Sequence, residues 1–547
     1  MNLTRILGAL LTLAAATAAQ TQAPAPSTDQ KPPEYVFSST TRLVILDIVA
    51  TDKQGNRVTD LKPEEVQILE NGREQQKRDF TFVQPNPQLA ASRAPVSLPP
   101  DVFTNTPQYQ GNSSYNVILF DVLNSGFAGR AYAHDELIKY LDQAPPNQPT
   151  AIFALGNKLW LLHDFTTDHD ALKDVIRRFK GQGSRLVTTS PDNDHAYQRK
   201  STFTVAGAEG YWTTLDAFRA LTRILSAYKG RKNLIWIAEL FALNPLPVFD
   251  VRRGPQFMSP YSRQVESLAD EMMQAQISVY PIDPSGLSGN AFGPMLRNFD
   301  AHSTLRDIAE RTGGRAYVNQ NDVARGIRES IDDGSSYYTT SYYPAKQAWD
   351  GKLRKVEVKT TRPGVTLRYR QGYYGVDSSA LPQSEKDLKR EARETSIDFA
   401  QALDPDLPAS TALPFRARVV PPSEKTQNKV LVNFAVDPLA VRFNQKDDGF
   451  AYAEVSCIAW AFPVKGKPIG SGGGTIHAKL DAETYQKVLQ SALPCKQSLQ
   501  LEPGNYMLRL GVIDQSSKRI GALTAWVTVP EAAETASPSR TSSVPKE

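Results

Sequence analysis

The sequence predicts an α/β protein: a doubly wound, mainly parallel sheet flanked by β modules, with a C-terminal β-sandwich. Three observations carry this. Between residues 114 and 335, short apolar runs alternate with segments of helical period, as in strands joined by crossover helices. After Tyr337 the period changes to two, the pattern of half-buried strands. From Leu413 to Val529 short strand-like runs recur with turn signals between them, which suits two stacked antiparallel sheets.

A chain of 547 residues exceeds one core, so about three or four domains are expected. Apolar residues make up 40% and charged residues 22%, an ordinary globular balance. The charge of +4 comes from 62 basic and 58 acidic residues, well mixed, which speaks against a nucleic-acid partner. At the N-terminus, Arg5, the apolar run from Ile6 to Ala16 and Ala16-Thr17-Ala18 read as a signal peptide over residues 1–19. The expectation is an exported protein, periplasmic or extracellular; the alternative is an uncleaved N-terminal anchor. No cysteine lies near the cleavage site to carry a lipid, and no later segment is long enough for a transmembrane helix. Cys457 and Cys495 are the two cysteines, and whether they bridge stays open at this point.

Taken in order, residues 20 to 35 form a Pro- and Ala-rich leader. Residues 36–85 read as a small N-terminal β module. Leu43, Ile45 and Ile48 are interleaved with polar residues, Asp52-Lys53-Gln54-Gly55 marks a turn, and Asn71-Gly72 signals a hairpin. Residues 86–113 are a linker rich in Pro and Ser. The α/β domain spans 114–335. Its strands are predicted at 116 to 121, 151 to 155, 159 to 163, 233 to 238, 277 to 283 and 315 to 318. Its helices are predicted at 130 to 142, 168 to 180, 213 to 228, 263 to 275, 303 to 311 and 321 to 333. Thr167-Asp168 and Ser303 are candidate N-caps, and Gly313-Gly314 a C-terminal stop. The short gap between the second and third strands demands a hairpin and one antiparallel edge strand. Residues 181 to 212 and 242 to 262 are irregular. A β-hairpin extension (336–376) pairs Val356 and Val358 with Val365, Leu367 and Tyr369 around Pro363-Gly364. A connector (377–412) with a polar helix over 382 to 402 leads to the sandwich (413–530), with turns at 470 to 474 and Pro503-Gly504. Residues 531–547 form a disordered tail.

The sequence holds no zinc spacing of the HExxH or Cys/His kind, no phosphate-binding GxxxxGK[ST] loop and no GxSxG elbow. Its most informative stretch is Asp121 to Ser125. There an apolar strand ends in an acid, an amide and a hydroxyl just before a helix, where open α/β sheets place their ligands. Asp283, at the end of a later strand, reads first as a turn former before Pro284.

Several stretches in fixed order resemble the von Willebrand factor type A (VWA) domain, and more closely the acidobacterial VWA-related family of exported proteins. They are Val44 to Asp52 with Gly55, Phe120-Asp121-Val122-Leu123-Asn124-Ser125, Gly230 to Ile237, Val279 to Asp283, Ala309 to Tyr317 and Arg370-Gln371-Gly372-Tyr373-Tyr374. The resemblance covers roughly residues 40 to 376. It implies a metal-ion-dependent adhesion site with Asp-x-Ser-x-Ser in a first loop, Thr in a second and Asp in a third. Asp121 and Ser125 match the first loop's ends, Leu123 replaces its middle Ser, Thr213 or Thr214 is the candidate threonine, and Ala238-Glu239 stands at the third loop. The site so implied is Mg2+ or another divalent cation held by Asp121, Ser125, Thr213 or Thr214, and Glu239. A protein partner's acidic residue would complete the cation shell, with Asn124, Asp121 and Glu239 facing the partner. The metal-free alternative is that Asp121 and Asn124 hydrogen-bond the loop and cap the next helix. The function implied is non-enzymatic protein–protein binding or assembly at the cell envelope. The alternatives are a hydrolase of envelope polymers using Asp121, Glu239 and Asp283, and a purely structural scaffold.

Overall fold

The structure is a computed structural model. It describes residues 43–84, 98–107, 114–145, 148–179, 205–239, 268–269, 271–286, 295–344, 350–376, 385–423, 426, 429–445, 448–463 and 468–530. The signal peptide, leader and tail of the sequence reading lie outside these residues, as do the loop segments 181–204 and 242–262.

The first strands are β1 (Val44–Thr51), β2 (Val66–Glu70), β3 (Arg73–Glu74), β4 (Lys77–Val83) and β5 (Val102–Thr104). The α/β section follows as β6 (Ser114–Asp121), α1 (Phe127–Gln143), β7 (Thr150–Leu155), β8 (Leu159–Thr166), α2 (His169–Arg178), α3 (Val205–Leu225), β9 (Arg231–Ile237), β10 (Ile277–Ile282), α4 (Met295–Thr312) and α5 (Val323–Ser335). Its sheet has the order β10-β9-β6-β7-β8. Neighbours are parallel except β8, which returns antiparallel on β7 as the short gap requires. Alternation along β6 sorts the core into two layers. Val117 and Leu119 pack with Phe218 and Leu221 of α3, while Ile118 and Phe120 pack with Leu137 of α1, Leu172 of α2 and Ile327 of α5. Burying both faces explains why β6 reads as an unbroken apolar run. The chain leaves β6 for β7 on one side and returns through β9 on the other, so the strand order reverses between the carboxyl ends of β6 and β9.

Several boundaries differ from the sequence reading. The helix expected from residue 213 starts at Val205, so Thr213 and Thr214 lie inside α3 rather than in a loop before it. Ser303 is inside α4, which begins at Met295, and does not cap it. Residues 315 to 318 make a single bridge, Tyr317 to Ile282, instead of a strand. Asp168 caps α2 through Asp170 N and Ala171 N as expected, and α4 stops before Gly313, whose φ is +76°.

After α5 come β11 (Tyr337–Tyr342), β12 (Asp350–Thr360), β13 (Thr366–Arg368) and β14 (Gly372–Val376). These strands interleave with the N-terminal ones. One sheet runs β13-β1-β11-β4 and the other β14-β12-β2-β3. The hairpin expected between residues 355 to 359 and 365 to 369 is therefore not a ladder. The alternation was right, because Val356, Val358 and Leu367 share one core with Leu46, Ile48 and Ile68, but β12 and β13 reach it from opposite sheets. Period two fixes which face is buried and leaves the pairing partner free.

The remaining elements are α6 (Glu385–Ala402), β15 (Ser410–Thr411), β16 (Phe415–Val420), β17 (Val430–Val436), β18 (Asn444–Gln445), β19 (Ala451–Pro463), β20 (Gly470–Leu480), α7 (Ala482–Leu489), β21 (Leu493–Leu499), β22 (Gly504–Asp514) and β23 (Ile520–Val529). They build a sheet β15-β23-β22-β19-β18, with β20 on β19, and a second sheet β21-β17-β16-β5. Both contribute to one core, with Val455, Leu508 and Leu510 from the first and Val432, Phe434 and Leu499 from the second. Residues 470 to 474, expected to form a turn, are the start of strand β20. Val102–Thr104, within the stretch read as linker, pairs with β16. Among the described residues, no helix is long and apolar enough to cross a membrane.

Candidate functional site

At the carboxyl end of β6 the chain turns sharply around one carboxylate. Asp121 is fully buried. Its Oδ1 accepts from the backbone N–H of Leu123 at 3.0 Å and of Asn124 at 2.9 Å, the geometry of an Asx turn. Its Oδ2 accepts from Asn124 Nδ2 at 2.7 Å and from Trp236 Nε1 at 2.8 Å. The indole arrives because Trp236 of β9 lies beside Leu119 of β6, and Asp121 is two residues further along the same face. Trp236 is held in turn by an edge-on contact with Phe218 of α3 at 4.9 Å. Burial pushes the Asp121 carboxyl up, to about 6, against the four hydrogen bonds that pull it down.

The loop is tied to its neighbours from both sides. Asn124 Nδ2 also donates to Thr214 Oγ1 on α3 at 2.9 Å. Glu239, just past β9, is half-buried and accepts from Gly126 N–H at 2.7 Å through Oε2, while its own N–H donates to Asn124 O at 3.3 Å. That places an acid at the amino end of α1, where the exposed N–H groups and the helix dipole favour it. Gly126 and Gly129 make room: a Cβ at Gly129 would stand 2.6 Å from Glu239 Oε2. Beside the loop, Phe127 opens α1 and is 66% exposed.

The structure thus brings together Asp121, Asn124, Thr214 and Glu239 in one hydrogen-bonded cluster. Ser125 is buried in the same loop, but its Oγ makes no hydrogen bond. Thr213 is half-buried, one position before Thr214 in α3. Leu123, in place of the family's middle Ser, is buried in the core layer that contains Trp236.

As it stands, the Asp121 carboxylate is turned toward N–H donors rather than an open coordination position, while the buried Ser125 Oγ of the same loop has no hydrogen-bond partner. A divalent ion such as magnesium needs oxygen lone pairs directed at it, about six in near-octahedral array. Here the acceptor directions of Asp121 are filled by N–H groups, Thr214 Oγ1 accepts from Asn124, and Glu239 Oε2 accepts from Gly126. Among the described residues, no group of three or more His, Cys, Asp or Glu side chains is placed to hold a metal. The carboxylates suggested for hydrolysis are likewise engaged. Asp283 Oδ2 lies 2.6 Å from His302 Nε2 and its Oδ1 accepts from Ser285 N–H at 2.8 Å. The sequence reading named Asp121, Asn124 and Glu239 but missed Trp236, His302 and the exposed Phe127. A tryptophan in an apolar strand carries no local sign of a distant polar partner.

No family model matches the chain, and no curated protein matches it. Solved structures to which it is similar include an aerotolerance-related membrane protein from Bacteroides fragilis (13% identity, 40% of this chain and 99% of that one, TM-score 0.22). Another is the vWF domain of the type V pili tip protein Mfa5 from Porphyromonas gingivalis (12% identity, 41% and 95%, TM-score 0.25). A third is proximal thread matrix protein 1 from the mussel byssus with a zinc-occupied MIDAS motif (12% identity, 40% and 48%, TM-score 0.22).

Proposed function

We propose that this chain is an exported, non-enzymatic interaction protein, periplasmic or extracellular, that docks a protein partner on the carboxyl end of its α/β sheet. The section from β6 to α5 is read as a doubly wound unit of the VWA kind, and the two C-terminal sheets as a sandwich. Asp121 serves as an internal lock: it fixes the β6–α1 loop through N–H donors, so that Asn124 and Glu239 hold the rim in place and the Phe127 ring meets the partner beside them.

The observation that carries this reading is Phe127. It opens α1, and its ring lies mostly exposed beside a loop that is hydrogen-bonded into place, at the end of the sheet where α/β proteins bind. Rigid aromatic anchors of this kind dominate protein interfaces. The hydrolase reading is disfavoured because Asp121, Glu239 and Asp283 are each committed to protein donors or to His302. The scaffold reading would put contacts on the C-terminal sheets. Photo-cross-linkers at Phe127, at Glu239 and on the exposed face of β20 separate the two in the native host. Adducts from the first two positions, weakened about tenfold or more in binding by Asp121→Ala or Phe127→Ala, are expected. Adducts from β20 alone would favour the scaffold. A cation-completed version of the same rim would require Asn124 Nδ2 and Trp236 Nε1 to leave the carboxylate, and would show as cation-dependent adduct formation.

A further inference from the structure

The two cysteines stand on different sheets of the C-terminal pair. Cys457 is in β19, opposite Gly474 of β20 on one side and Val512 of β22 on the other. Cys495 is in β21, opposite Phe434 of β17. Both thiols are buried in the one core that the two sheets share, and each is the largest influence on the other's acidity. Close approach of the two sheets at this edge depends on the glycines of β20. A Cβ at Gly472 would meet Ser498 O at 2.8 Å, and one at Gly474 would meet Gln497 Nε2 at 3.0 Å. This accounts for a run of three glycines inside a strand, a composition that otherwise weakens it. Gln497 Nε2 also points its N–H at Cys495 Sγ, 3.5 Å away.

We propose that Cys457 and Cys495 form a disulfide that staples the two C-terminal sheets together, made by exchange with a small-molecule or protein disulfide. Cys495 is the attacking sulfur. Hydrogen bonds from Cys457 and from Gln497 favour its thiolate, while donating to Cys495 and being buried both push the Cys457 thiol up. The Cys495 thiolate attacks one sulfur of the oxidant, forming a mixed disulfide and expelling the first thiolate, which takes up the Cys495 proton. Cys457 then loses its proton and attacks the Cys495 sulfur, and the second thiolate leaves with that proton. The chain gives up two protons and two electrons, and the oxidant becomes two thiols. The bond closes a loop of roughly 40 residues, long enough to constrain the unfolded chain strongly. The proposal is independent of the docking site on the α/β section.

The test uses the full chain, refolded from the reduced, unfolded state in a mixture of oxidised and reduced glutathione. It is then acid-quenched, unfolded, treated with N-ethylmaleimide and weighed intact. The expected product has lost two hydrogens and carries no maleimide, and its Tm falls by roughly 10 °C on full reduction. Two maleimide adducts, a lasting glutathione adduct on the wild-type chain, or a Tm that does not fall on reduction would overturn the proposal. Cys457→Ser and Cys495→Ser are each expected to lose the part of the Tm that reduction removes from the wild type; a serine variant that melts with the oxidised wild type would overturn the proposal.

Discussion

Asp121 concentrates the chemistry of the site into one side chain. Four N–H groups converge on a carboxylate that burial alone would neutralise. Asp121→Asn turns one acceptor oxygen into a donor, facing other donors, and is expected to cost about 1–3 kcal/mol at neutral pH. The pH dependence has a definite sign. The folded carboxyl titrates at about 6 and the unfolded one at an ordinary 3.8, so between these values the folded chain holds a proton that the unfolded chain has lost. Its contribution is therefore fully present below about pH 4 and is lost as pH rises through about 6. Urea unfolding across this range is expected to show the wild type's margin over Asp121→Asn narrowing as pH rises. A margin that widens would mean that the hydrogen bonds outweigh burial. Asp121 itself was legible in the sequence, because an acid ending an apolar strand before a helix is a local pattern. Trp236 was not, since its role comes from a strand more than a hundred residues away.

Among the elements, α1 depends on two small residues at its amino end. Gly126 and Gly129 leave room for the Glu239 carboxylate against the first turn. Gly129→Ala is expected to displace Glu239 while changing stability by less than about 1 kcal/mol, because the strain is offset by alanine's higher helix propensity. Partner cross-linking from position 127 should fall without a matching fall in Tm. Parallel loss of both would make the glycine a packing residue only. The strands and helices of the α/β section were readable because both periods are strong there. Helix starts were less so. α3 and α4 begin several residues before the positions read as their starts, because helix ends are the least sharply marked part of a periodic pattern. The run Gly472 to Gly474 was read as a turn because glycine usually marks one. The structure uses it for close contact between sheets.

Across the whole molecule, sequence neighbours are often not structural partners. The strands before and after the α/β section interleave in two sheets around one core, and β5 joins a sheet whose other strands come more than three hundred residues later. Such pairings leave no periodic trace, so the alternation in β12 and β13 showed buried faces but not the ladders. The same long-range assembly decides the site: β6, β9 and α3 deliver N–H donors and acceptors to one another around the Asp121 carboxylate. The most direct test is thermal melting of the full chain in magnesium, in manganese and in a chelator. Any cation that binds only the folded form must raise Tm with its concentration. Coincident melting curves in all three are expected. A concentration-dependent rise in Tm that Asp121→Ala abolishes would contradict the closed, metal-free loop.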